Sequence, residues 1–235
     1  MSNMFNILLS IYLIIIAIHL YCCYQNIDNI RRFTTVFLMP LLAMLYHTGT
    51  LIKKYSKLVL SGIIFGFLGD LFLLANPYSP LVIIGLVTFL IGHVLYVISF
   101  IREAGFENYK KYFYVFIIIS VIYFYGETVA FQYLKEGFIK RKVMIPGISY
   151  LSLLMILNIT SGFYMFTYPN IYTFLSFLGS NSFFASDFIL VRKMFYETNM
   201  YYQVALMTLY ILAQSLICYG LAHRKDKTES KIKIN

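Results

Sequence analysis

Apolar runs of about 20 residues recur from one end of this chain to the other, and no stretch between them is long enough to fold by itself. A helical run of that length matches the hydrocarbon core of a bilayer, about 30 Å thick. Of the 235 residues, 60% are hydrophobic and 12% charged, where a soluble domain has nearer half and a quarter. The surplus calls for a solvent other than water. In hydrocarbon every backbone N–H and C=O must be paired internally, which leaves only helices or closed barrels. The runs are continuously apolar and lack the alternation of barrel strands. The sequence therefore predicts an all-α fold, a polytopic transmembrane helical bundle.

Charges, prolines and asparagines divide the chain into about eight spans: 5–24, 33–49, 58–75, 81–101, 112–126, 143–162, 171–191 and 200–222. Together they make one domain, 1–222, followed by a polar basic tail, 223–235. The second span is short and contains Pro40, and Asn76-Pro77-Tyr78-Ser79-Pro80 makes a tight turn between the third and fourth. Residues 102–111 form a polar stretch, and 127–142, ending in Lys140-Arg141-Lys142, is the longest non-membrane connection. The first run lacks a basic leader and a small-x-small cleavage site, so it is expected to be a retained span.

The formal charge of +9 lies in short loops and the tail. There it sets topology and meets anionic headgroups; nucleic acid is not an expected partner. Eleven Lys and Arg fall on the side of the termini and eight on the other, which favours cytosolic termini. Tyrosines, 22 in all, cluster near span ends as an interfacial belt would. Cys22, Cys23 and Cys218 show neither CxxC nor Cys/His metal spacing, which argues against a disulfide framework or a zinc site. Lys231-Ile232-Lys233-Ile234-Asn235 looks like a dilysine retrieval signal. The expected location is the endoplasmic reticulum in a eukaryote and the inner or plasma membrane in a bacterium.

The chemistry-bearing residues lie inside the spans. Gly62, Gly66 and Asp70 share one helical face, with Gly69 adjoining. Small residues admit a neighbouring helix, so this face turns inward and takes Asp70 with it. A carboxylate at that depth costs about 2.5–3.5 kcal/mol on insertion scales and is a functional candidate by default. The plainer alternative is an Asp that only hydrogen-bonds a neighbouring helix. Asp187 shares a face with Gly179 and Phe183, in a stretch that, with Ser180, Asn181, Ser182 and Ser186, is the most polar inside any span. Such residues either bind helices together or line a wet cavity.

His93 has Phe89 and Tyr96 on its face, and serves as an interhelical hydrogen-bonder or a proton relay. Haem ligation with His19 or His47 has no supporting motif. Pro146, Tyr150 and Asn158 share a face of the sixth span, and Tyr210 and Gln214 are four apart in the eighth. These residues predict a polar chamber shared by spans three, four, six, seven and eight. A nucleophile elbow, a P-loop and HExxH are all absent, so a Ser lipase or zinc protease has no support.

Taken in order, these stretches resemble the YhhN family, which includes the lysoplasmalogenases. The resemblance rests on Gly69-Asp70 followed by Leu71-Phe72-Leu73-Leu74, Phe89-x3-His93-x2-Tyr96, Pro146-x3-Tyr150, Gly179…Phe184-x-Ser186-Asp187-x2-Leu190, and Tyr210-x3-Gln214, and covers about residues 35–222. One position departs: the family usually has Lys-Pro in the second span, and this chain has Met39-Pro40. The resemblance implies metal-independent hydrolysis of the vinyl ether bond of lysoplasmalogens, with no cofactor and a lysophospholipid as substrate. Asp70 and Asp187 would share a proton as the acid–base pair, with His93 beside them. Tyr96, Tyr150, Asn181, Ser186, Tyr210 and Gln214 would bind substrate or support the site. The alternative reading is a proton-coupled transporter or lipid-binding membrane protein using the same Asp residues, against which the lack of an internal repeat counts.

Overall fold

The computed structural model describes residues 2–50, 56–75, 80–196 and 199–223. Among them the chain forms nine helices: α1 (Ser2–Gln25), α2 (Asp28–Thr50), α3 (Lys57–Leu73), α4 (Leu81–Ala104), α5 (Phe106–Lys111), α6 (Phe113–Arg141), α7 (Met144–Thr167), α8 (Ile171–Phe195) and α9 (Met200–Ala222). Each of the eight apolar runs becomes one long helix, and α5 is a six-residue link. Six of the long helices, α1, α4, α6, α7, α8 and α9, are long and apolar enough to cross a bilayer. Two fall short of that measure. α2 opens with Asp28, Arg31 and Arg32 and contains Pro40, and α3 has 17 residues. The turn at 76–79, Lys53 and Lys54, and the tail from Arg224 lie outside the described residues.

Residues 127–142 are not a separate connection: α6 runs through them to Arg141, 29 residues in all, or about 43 Å. Charge ends an apolar run without ending a helix. Ala130, Leu134 and Phe138 keep the helical period and are buried, while Lys135 and Glu136 between them are exposed. Similarly, α4 continues into the polar stretch 102–111 and stops at Gly105, whose φ of 80° suits a residue without Cβ. Lys142 takes a left-handed conformation between α6 and α7. Asn170 starts α8 with a capping box, accepting from the Tyr172 and Thr173 amides while Thr173 Oγ1 accepts from its own.

Helices in lipid gain nothing from hydrophobic exclusion of one another, so close contact must hold them together. The tightest pairs are α8–α9 and α3–α4. A Cβ added at Gly92 would lie 3.2 Å from the Gly62 carbonyl oxygen, and one at Gly220 only 2.4 Å from that of Tyr172. Only glycine permits such approach. Helix α9 packs on α8, α1, α2 and α3, closing a ring that runs through α4 and α7. α6 leans on the outside against α7 and α8. Its Ile117, Ile118, Val121 and Ile122 are exposed, as lipid contact requires.

Candidate active site

Asp70 lies near the C-terminal end of α3, within one turn of Leu73. Asp187 sits deeper, eight residues before the end of α8, or about 12 Å along its axis. Both are buried, 7% and 5% exposed, and both line one cavity of about 250 Å³. The cavity sits where the C-terminal halves of α1, α3 and α8 meet the N-terminal halves of α2 and α9. Phe89, Leu190, Leu206 and Met207 give it an apolar wall, and Arg31, Arg32 and Lys193 from the helix ends add cations.

Each carboxylate is held through one oxygen by a tyrosine. Tyr210 donates its hydroxyl to Asp70 Oδ2 at 2.9 Å, and Tyr150 donates to Asp187 Oδ2 at 2.6 Å. Among the described residues the Oδ1 of each Asp has no hydrogen-bond partner, which leaves those oxygens available to a ligand. His93 Nε2 stands 3.7 Å from Asp187 Oδ2, beyond hydrogen-bond length but within electrostatic reach. Behind Asp70, Tyr96 donates to Gln214 Oε1 at 2.6 Å. The Gln214 amide lies against Gly66, where an added Cβ would be 2.8 Å from Nε2 and 3.5 Å from the Tyr210 hydroxyl. The small-residue face of α3 thus receives Tyr96 and Phe89 of α4 and Gln214 of α9. Phe183 packs edge-on against His93 and Tyr210, at 4.8 and 6.0 Å between centroids, and Phe89 against Tyr210 at 5.9 Å. These rings hold Tyr210 and His93, and His93 in turn meets the Tyr150 ring edge-on at 6.1 Å.

Asp70, Asp187, Ser186 and Tyr210 line the cavity, whereas His93, Tyr96, Tyr150 and Gln214 stand in the layer behind it. Ser186 donates to the Leu206 carbonyl across the α8–α9 contact at 3.2 Å. Asn181 is elsewhere. It accepts from the Tyr123 hydroxyl of α6 at 2.8 Å and donates to the Phe177 carbonyl. Ser180 bonds Ser161 of α7 at 2.5 Å. The polar stretch of α8 therefore binds helices at its start and faces the cavity at its end. The chamber also differs from expectation in its walls: α7 reaches it only through Tyr150 behind Asp187, while α1 and α2 contribute directly. His19 lines it, bonded to Thr34 Oγ1 at 2.8 Å. Met39 is fully buried in the core and is not part of the cavity wall. Arg31, Arg32 and Lys193 are among the cavity residues that the sequence does not point to, because adjacent arginines at a span end signal topology and give no hint of a lysine 161 positions later.

A bundle of long apolar helices with two buried carboxylates on one internal cavity defines a multi-pass membrane protein with a polar site inside the bundle. The sequence pattern of the YhhN family matches residues 30–221. The chain belongs to the YhhN family. Comparison with curated proteins and with solved structures gives no match.

Proposed function

We propose that this protein is a lysoplasmalogenase-type hydrolase that cleaves the vinyl ether bond of lysoplasmalogens, with all eight long helices spanning the membrane. The observation that carries this reading is the placement of Asp70 and Asp187 on one cavity, each fixed through a single oxygen by a tyrosine hydroxyl. Family membership is consistent with a hydrolase.

In this mechanism one carboxyl enters protonated and the other ionised, the division of labour that glycosidases use. The acid transfers its proton to the β-carbon of the vinyl ether, whose π electrons form the new C–H bond and leave an oxocarbenium ion. The ionised carboxylate stabilises that cation and accepts a proton from the attacking water. The resulting hemiacetal collapses to a fatty aldehyde and glycerophospho-ethanolamine or -choline. The two Asp divide one proton between the acid and base roles across the cavity they both line, since burial in a low dielectric disfavours two charged carboxylates there. Tyr150 and Tyr210 hold the oxygens in place, and His93 acts on Asp187 from behind. The apolar wall suits the alkenyl chain.

The test is purified protein incubated with lysoplasmalogen in deuterium oxide, with products identified by mass spectrometry. Protonation at carbon places one deuterium on C2 of the aldehyde. Ester cleavage in place of aldehyde release, or an aldehyde free of deuterium, overturns the reading. A transporter would instead give pH-dependent uptake into liposomes with no product.

A further inference from the structure

Three cations converge on the wall of the cavity. Arg31 and Arg32 come from the first turns of α2 and Lys193 from the last turn of α8, and all three line the cavity that Asp70 and Asp187 share. Their existing partners leave charge and hydrogen-bonding capacity unused. Arg31 pairs with Asp28 at 2.6 Å, yet among the described residues its buried Nε has no hydrogen-bond partner. Arg32 gives one N–H to the neutral carbonyl of Leu74 at 3.2 Å, and Lys193 donates to the neutral amide oxygen of Gln203. Like charges gathered at a cavity favour a multivalent anion, and guanidinium groups suit the oxygens of a phosphate.

Geometry then selects the kind of phosphate. Arg32 is fixed at Leu74, four residues past Asp70 on α3, or about 6 Å along the axis. Lys193 lies six residues past Asp187 on α8, or about 9 Å. The cations therefore form a tier above the carboxylates. In a glycerol ether lipid, the chain from ether oxygen to phosphorus reaches about 6 Å at ordinary single-bond lengths. We propose that Arg31, Arg32 and Lys193 form a phosphate-binding subsite that seats the phosphodiester of a single-chain glycerol lipid with its ether bond at Asp70 and Asp187. This deepens the hydrolase reading and rests on it for the identity of the lipid, but binding tests it separately from turnover.

The experiment measures equilibrium binding to the full-length protein in neutral nanodiscs. Its probes are a saturated 1-O-alkyl lysophospholipid, which lacks the reactive double bond, the matching 1-O-alkylglycerol without phosphate, and inorganic phosphate. The wild-type protein is expected to prefer the phosphate-bearing lipid by about ten-fold or more. Arg32→Gln and Lys193→Gln are each expected to lower that preference several-fold, and together to bring it within about two-fold of parity, with alkylglycerol binding unchanged. Arg32→Lys should retain part of it. Inorganic phosphate should compete with the lysolipid only weakly. Arg31 is left intact because it also pairs with Asp28. The subsite is refuted if the double variant keeps the preference, or if it weakens both lipids equally. Tight inorganic phosphate binding that leaves the lysolipid in place also refutes it, since the site would then serve a free anion. Charge-dependent lysolipid binding without aldehyde release would refute the hydrolase reading and uphold the subsite.

Discussion

Tyr210→Phe isolates the contribution of one hydroxyl to the site. The ring is retained, so its edge contacts with Phe89 and Phe183 survive, and the lost atom is the donor 2.9 Å from Asp70 Oδ2. Donor and acceptor residues are only 4% and 7% exposed, and loss of the hydroxyl leaves Oδ2 without its protein donor. A buried acceptor stripped of its partner costs about 1–3 kcal/mol. In stability, a double-mutant cycle with Asp70→Asn should return a coupling of that order, measured as thermal unfolding of the detergent-solubilised protein. In turnover, a carboxyl group freed from its anchor should slow aldehyde release by about ten-fold for each 1.4 kcal/mol of lost positioning. That loss should fall in kcat more than in KM. Turnover of Tyr210→Phe within about two-fold of wild type, with a coupling under about 0.5 kcal/mol, would refute this role for the hydroxyl.

Substitutions at three further positions probe the scaffold. Gly69→Ala places a Cβ 2.7 Å from the Phe89 ring; the overpacking should cost about 1–3 kcal/mol in unfolding free energy and slow turnover as Phe89 is displaced. Asn181→Ala removes the acceptor of the Tyr123 hydroxyl and should cost about 1 kcal/mol of stability, with aldehyde release left within about two-fold. Asn170→Ala deletes the cap of α8 and should lower stability by about 1 kcal/mol, whereas Asn170→Asp should retain most of it.

The fold was legible because lipid leaves the backbone so few choices. Each apolar run became a helix, and the small-residue spacing of Gly62, Gly66 and Asp70 named the inward face of α3 correctly. The extension of α6 was not legible, since the charges around Lys135 end hydropathy while the helical period continues to Phe138. Asn181 shows how a polar residue can share a stretch with Asp187 and not its direction: six residues carry it about 120° round the helix, towards α6. The partners of the two carboxylates left no local trace, because Tyr150 is 37 residues from Asp187 and Tyr210 is 140 from Asp70. The same holds for the tier of cations, which come to one cavity wall only when the bundle brings the start of α2 and the end of α8 to the same place.

The most direct measurement compares fatty aldehyde released from lysoplasmalogen by wild-type protein, Asp70→Asn and Asp187→Asn, with thermal unfolding establishing that each variant is folded. The wild type should release aldehyde and each variant should lose about 100-fold or more, the scale of a missing acid or base. Either variant releasing aldehyde at the wild-type rate would contradict it.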